Sequence, residues 1–373
     1  MNKKLLLLII FFGGLGCFSF AQQTDLTTSG RLILGTYQER TASVASGDID
    51  GDGDNDLLVA NGRHWPGQNR IFINNGKGIF TVEKGLGSLR ETTYATELAD
   101  LDNDGDLDVA VGNDMAPHAL FINDGKGNFK KSGSFGKTYS STRNLTLADL
   151  NQDGFKDILI TNRGRPNEIC INDGKGNFSE TLDFGSSEDS TIDVEVADID
   201  GDNDLDLILA NRDGQPNYVY LNDGNLGFST KIAFGTGSDE TRSVAIGDLN
   251  GDGLLDIITA NIGEPNLIYF GAIAQPFRES VRFDASNARS YAVAIADLDG
   301  DNDMDIIIGN SESPNFVYFN TENGQQWQGH ALKDEAFDTY DIITADLNND
   351  GFPDIIEANS DEINRYYFNR PKN

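Results

Sequence analysis

The chain has 373 residues, with 60 acidic against 28 basic side chains and a formal net charge of −32. An acidity of this size excludes the concentrated basic surface that phosphate binding requires, so nucleic acid is not an expected partner. Two cysteines supply no disulfide framework, so any covalent staple is excluded as well.

The chain opens with MNKK, an apolar run from Leu5 to Phe12, and the small-x-small sequence Ser19-Phe20-Ala21. That is the form of a secretory signal peptide, residues 1–21, and cleavage after Ala21 leaves a single expected domain over residues 22–373. The rival reading makes Cys17 a lipidated cysteine, although Gly14 stands where a lipobox usually carries Leu. The run is too short for a membrane span and no other stretch could cross a bilayer. An exported monomer is expected, whether periplasmic, at the cell surface or secreted. Cys170, alone in an apolar strand, is expected to be a small buried hydrophobe.

Seven acidic stretches punctuate the rest of the chain: DIDGDGDND from Asp48, DLDNDGDLD from Asp100, DLNQDGFKD from Asp149, DIDGDNDLD from Asp198, DLNGDGLLD from Asp248, DLDGDNDMD from Asp297 and DLNNDGFPD from Asp346. Calcium takes six to eight oxygens, so alternating acids in a tight loop suit it. The candidate ligands at positions one, three, five and nine are Asp48, Asp50, Asp52 and Asp56; Asp100, Asp102, Asp104 and Asp108; then Asp149, Asn151, Asp153 and Asp157. They continue as Asp198, Asp200, Asp202 and Asp206; Asp248, Asn250, Asp252 and Asp256; Asp297, Asp299, Asp301 and Asp305; and Asp346, Asn348, Asp350 and Asp354. Position six is always Gly or Asn, the residues that tolerate a left-handed turn. The bland alternative is a solvated acidic turn. Up to seven bound calcium ions would account for much of the net charge.

The loops recur about every 50 residues, which points to a propeller, solenoid or array. In each unit an apolar strand enters the acidic loop and a second strand such as LLVAN or LILAN leaves it. A polar loop leads to a third strand such as IFIN or VYLN, and an Asn/Asp-Gly turn opens a fourth. Four antiparallel strands repeated seven times predict an all-β, seven-bladed β-propeller. One residue before each first Asp stands Gly or Ala, and two and four before it mostly larger side chains, a small face against a large one for stacked blades. Glu97 and Glu195 break the small face near the expected central channel. The chain ends after a third strand, and GRLILGTYQERTASVA aligns with TKIAFGTGSDETRSVA, so Gly30 to Leu34 should complete the last blade and close the ring.

These features resemble the FG-GAP/VCBS repeat family of integrin α-subunit heads and many exported bacterial proteins. Phe135-Gly136, Phe184-Gly185 and Phe234-Gly235 match its FG element, and the acidic loops match its calcium element. In place of the GAP element stand Ala60-Asn61, Gly112-Asn113, Ala210-Asn211 and Ala358-Asn359, closer to the bacterial VCBS variant. The resemblance implies fold and calcium, not a particular activity.

Function is expected on the face opposite the acidic loops. A recurrent Thr or Ser, a closing Asn and a Pro-Asn pair repeat there too regularly to be specific, and read as turn hydrogen bonds. What varies is the residue after that Thr, giving Tyr94, Arg143, Arg242, Tyr291 and Tyr340, and the loops after strand two, giving Arg63, His64, Trp65, Arg163, Arg165 and Arg212. Arginine forks suit carboxylates and sulfates, and aromatic faces stack on sugar rings. The expected function is calcium-stabilised binding of a polysaccharide, uronate- or sulfate-bearing, as an accessory to its capture or breakdown. The alternatives are a polysaccharide lyase using Tyr and Arg, a surface-protein adhesion module, or arginines that merely pair with neighbouring acids. No nucleophile elbow, HExxH zinc motif or phosphate loop is present.

Overall fold

Short apolar runs between Gly and Asn punctuation form strands throughout residues 24–371, the part of the chain that the computed structural model describes. The expected signal peptide and Cys17 lie outside the described residues. Within them there is no helix, and hence none long and apolar enough to cross a membrane.

Each repeat forms four antiparallel strands in chain order. In the second repeat Thr93–Ala99, Asp108–Asn113, Ala119–Ile122 and Lys130–Gly133 lie side by side as one four-stranded sheet, and the next three repeats do the same. The second strands, such as Asp108–Asn113 and Asp206–Asn211, are buried at every residue, while the outer Lys130–Gly133 is exposed along its length. That gradient explains why second strands are continuous apolar runs and outer strands are polar.

The remaining strands depart from the separate sheets the repeat predicts and join into one eleven-stranded sheet. The joins are short pairings at the loop end, Ser311↔Asp338 with Ser313↔Phe337, and Glu39↔Glu362 with Arg40↔Ser360. Single bridges at the same repeat position, Asp114↔Ser141, Arg163↔Ser190 and Ile262↔Arg289, link other neighbours without merging their sheets. Near the N-terminus Ile33 and Leu34 pair with Arg365 and Asn364, as the sequence alignment predicts. The pairing then resumes from Thr27↔Phe368 to Thr24↔Pro371, so the added strand starts earlier than Gly30. A turn interrupts it, with the Leu32 amide donating to the Ser29 carbonyl at 3.0 Å.

Apolar clusters sit between successive repeats. One combines Leu57, Val59 and Phe72 with Leu347, Ile356 and Tyr366, from opposite ends of the chain. The small positions give room to the neighbouring repeat: a Cβ on Gly247 would lie 2.5 Å from Ile295 Cδ1, and one on Gly47 2.6 Å from Leu107 Cδ1, so those side-chain ends would have to shift.

The repeated Thr and Asn form a relay between repeats. The Asn217 side chain accepts from the Asn211 amide at 2.7 Å and donates to the Thr241 hydroxyl of the next repeat at 2.8 Å, and Thr241 donates to Asn261 Oδ1 at 2.8 Å. The same acceptor and donor roles fall to Asn69, Asn167, Asn266, Asn315 and Asn364, the last reaching Thr41 across the chain ends at 3.1 Å. His118 takes this position in the second repeat. Its Nδ1 accepts from the Asn113 amide at 3.1 Å, while its buried Nε2 has no partner. Asn217→Ala should cost about 1–3 kcal/mol, because a buried amide loses its acceptor. His118→Asn should complete the relay and raise the melting temperature by about 2 °C. A lower melting temperature for His118→Asn would mean that the ring's stack on Phe135 outweighs the missing bond.

Candidate binding site in the cavity between the inner strands

All seven inner strands carry a β-bulge at one place. Their register shifts between Thr41 and Ser43, Thr93 and Ala95, Thr142 and Asn144, Thr191 and Asp193, Thr241 and Ser243, Ser290 and Ala292, and Thr339 and Asp341. The bulged residues are therefore Ala42, Tyr94, Arg143, Ile192, Arg242, Tyr291 and Tyr340, the position that varies between repeats. A bulge re-aims its extra side chain. Here six of the seven line a cavity of about 650 Å³ walled by every inner strand, and Ile192 is buried away from it.

The bulged side chains and their neighbours gather into two clusters. In one, the Tyr94 hydroxyl lies 2.7 Å from His64 Nε2, and the Arg143 guanidinium stands 4.6 Å from the Tyr94 ring while pairing with Asp114 at 2.9 Å. Burial raises the Tyr94 hydroxyl above its ordinary value, and burial with Arg63 and Arg143 lowers His64, so the phenol keeps its proton and donates to a neutral imidazole. In the other, Tyr291 and Tyr340 meet edge to face at 4.9 Å. Arg63 covers the Tyr340 ring at 3.9 Å and Arg242 stands 6.0 Å from both rings. Arg63 donates to Ser360 Oγ at 3.0 Å, and neither arginine is paired with a carboxylate among the described residues.

Below the bulge the wall turns acidic. Asp193 accepts from Asn144 at 2.5 Å, Ser243 at 2.9 Å and the Val244 amide at 3.1 Å; Asp341 accepts from the Val44 and Ile342 amides at 3.0 and 2.9 Å. Two residues further along the strands, Glu97 and Glu195 line the same cavity. Burial, then Asp193, pushes the Glu195 carboxyl up to about 8, and burial with Asp341 holds Glu97 well above the usual carboxylate range. Leu98, Leu147, Ile246 and Ile295 line the end nearest the acidic loops. Asp193 is not among the residues that the repeat pattern picks out. Its signal lies in the residue after the bulge, which is Ser, Ala, Asn or Asp in different repeats.

The other expected ligand residues lie outside this lining. Arg163 holds Asp213 by two bonds of 2.9 and 2.7 Å, Arg212 stands 3.8 Å from both Asp213 and Glu240, and Arg165 is exposed. Trp65 is 64% exposed with Arg40 5.9 Å from its ring.

At the other ends of the inner strands stand the acidic loops. The ninth-position Asp is buried in all seven and accepts at least two amides. In the first loop Asp56 takes Ile49 N–H at 3.0 Å and Asn74 N–H at 2.7 Å, and Asp108, Asp157, Asp206, Asp256, Asp305 and Asp354 repeat this. Burial raises these carboxyls, to about 6 for Asp56 and about 7 for Asp354. In four loops the first, third and ninth Asp bring one carboxylate oxygen each within 4.8 Å of one another: Asp48, Asp50 and Asp56; Asp100, Asp102 and Asp108; Asp198, Asp200 and Asp206; Asp297, Asp299 and Asp305. Oδ1 of Asp50, Asp102 and Asp299 is buried with no hydrogen-bond partner. A buried carboxylate oxygen without a donor is costly, and a cation among three such groups satisfies it, so these residues fit a hard metal ion. In the other loops Asn151, Asn250 and Asn348 take the third position, and their side-chain amides donate to Asp153, Asp252 and Asp354 at 2.9, 3.1 and 3.3 Å.

Residues 48–111, 100–160, 149–209, 198–259 and 297–357 each match the model of the FG-GAP-like repeat. No curated protein matches the chain. Among solved structures it is similar to BBS1N, from a crystal structure in complex with ARL6DN soaked with lead, at 12% identity and a TM-score of 0.60, covering 90% of this chain and 93% of that one. It is also similar to the WD40 β-propeller domain of Doa1, at 12% identity and a TM-score of 0.59, covering 93% and 96%. At such identity the likeness shows the β-propeller fold alone.

Glu195 yields a pH prediction. Its carboxyl keeps its proton in the folded chain up to about 8 but loses it near 4.5 when unfolded, so the folded state binds more protons in that window and stability falls as pH rises through it. Glu195→Gln should melt with the parent below the window and several degrees above it on the alkaline side. Equal melting temperatures at both ends would mean that channel water solvates the carboxylate fully.

Proposed function

Because this chain belongs to the FG-GAP-like repeat family, we propose that it is an exported, calcium-stabilised, seven-bladed β-propeller that binds an acidic polysaccharide at the mouth of its central channel. The blade count and closure draw support from seven bulged inner strands around one cavity, and from bonds that cross the chain ends: Asn364 to Thr41 at 3.1 Å and Asn74 to the Leu347 carbonyl at 2.7 Å. Calcium is the ion because the candidate ligands are oxygens alone, with no cysteine or histidine in the loops. The N-terminal sequence supports export.

One observation carries the ligand reading: Arg63 and Arg242 flank the Tyr340 ring with no carboxylate paired to either among the described residues. A uronate carboxylate or sulfate ester supplies the missing acceptor, and the tyrosine rings give a sugar a flat apolar surface. Arg163 is occupied by Asp213, so it contributes little to this affinity. The Tyr94–His64 pair beside Arg143 favours a second reading, a lyase in which the pair takes a proton from a uronate whose carboxylate an arginine neutralises. BBS1N, which was crystallised with ARL6DN, provides the precedent for a protein partner instead.

Affinity electrophoresis against uronic and sulfated polysaccharides in millimolar calcium tests the proposal. Retardation that weakens with added salt is expected. No retardation by any acidic polysaccharide would overturn it. A rise in the ultraviolet absorbance of unsaturated uronates would establish the lyase, and capture of a protein without glycan binding would establish the adhesion reading.

A further inference from the structure

From mouth to floor the channel lining changes in a fixed order. The bulge layer offers Tyr94, Arg143, Arg242, Tyr291 and Tyr340; the next layer offers Asp193 and Asp341; the third offers Glu97 and Glu195; the last is Leu98, Leu147, Ile246 and Ile295 with Ser46 and Thr344. Each inner strand runs from its variable bulge toward its acidic loop, and the strands together build this order, two of them supplying the second-layer acids and two the third-layer acids. Arg242 and Glu97 both border this space with no hydrogen-bond partner among the described residues, one a free cation at the mouth and the other a free carboxyl beneath it. Asp193 and Asp341, by contrast, are fixed by six bonds from their neighbours.

Resting on the reading that the mouth binds an acidic polysaccharide, we propose that the site takes the end of the chain, with one terminal acidic sugar inserted into the channel, and not an internal stretch laid across it. Three features favour an end. The free guanidiniums stand at the mouth, so the anionic group stays there while the rest of the terminal ring points inward. The layer beneath is rich in hydrogen-bond acceptors, which suits sugar hydroxyls and repels a second anionic residue following the first. The last layer is mostly aliphatic, with Ser46 and Thr344 as its hydroxyls, so a polar chain passing it would lose its water for few partners. A cavity of about 650 Å³ holds a few sugar rings at most, with no room for a polymer to enter and turn back. An internal segment, held by both of its neighbours, cannot dip into such a space.

Isothermal titration of the mature protein, in millimolar calcium, with size-fractionated galacturonate, alginate and heparin-derived chains tests this. The series runs from disaccharides to chains many times longer than the channel. For the class that binds, the expected result is one protein per chain at every length, with affinity that levels off after the first few sugars. Copies per chain that rise with length would overturn end binding while leaving polysaccharide recognition intact. No heat with any of the three classes would overturn both. Ala294→Phe places bulk in the third layer without touching an arginine or tyrosine, and Glu97→Gln keeps the shape while removing the free carboxyl. If both fold, Ala294→Phe should weaken the shortest binding chain by about ten-fold or more, and unchanged affinity would overturn the proposal. Should Ala294→Phe fail to fold, the stoichiometry series decides alone.

Discussion

Each repeat turns on one buried carboxylate. The ninth-position Asp of every acidic loop accepts one amide from within its own loop and another from the end of the third strand, as Asp56 does from Ile49 and Asn74. It thereby ties the loop to the sheet, and its burial makes ionisation costly. The first Asp adds to the crowding, since Asp48 is held by the Gly51, Asp52 and Gly53 amides within the same turn. Amides alone leave buried oxygens of Asp50, Asp102 and Asp299 without partners. A divalent cation held by the first, third and ninth Asp would resolve that conflict.

The rigid loops leave the opposite ends of the inner strands free to differ. At those ends a relay of Asn and Thr or Ser ties the repeats together at six of seven places, and in every repeat but the fourth a bulge beside it turns one variable side chain toward the cavity. Recurrent bonds and variable side chains are thus separated along a single strand. The recurrent residues form bonds to neighbours, and six of the seven variable ones face the cavity.

Much of this is legible in the chain. Acidic loops, strand pattern and the small Gly and Ala positions follow from composition and period, and the variable bulge residues stand out because everything around them repeats. The bulge itself is not legible, because a period-two strand with one extra residue looks like a strand of ordinary length. The pairing of Arg163 with Asp213 is hidden because the two lie 50 residues apart and meet only between adjacent repeats. The early start of the N-terminal strand escapes the pattern because polar Thr24–Thr27 carries no apolar alternation. His118 can be seen as a departure from the Asn pattern, but its unpaired Nε2 requires the relay to be known first.

The dependence of the scaffold on its ions is the central claim. At a Kd of about 10⁻⁴ M and about 2 mM free calcium, each occupied loop stabilises the fold by about 1.8 kcal/mol, if the unfolded chain does not bind. Several such loops amount to much of the stability of an ordinary domain. Thermal unfolding of the mature protein in EGTA, in millimolar calcium and in matched magnesium measures this directly. The account predicts a rise of several degrees in calcium that magnesium does not reproduce. Equal melting temperatures in EGTA and calcium would contradict it and leave the loops as acidic turns.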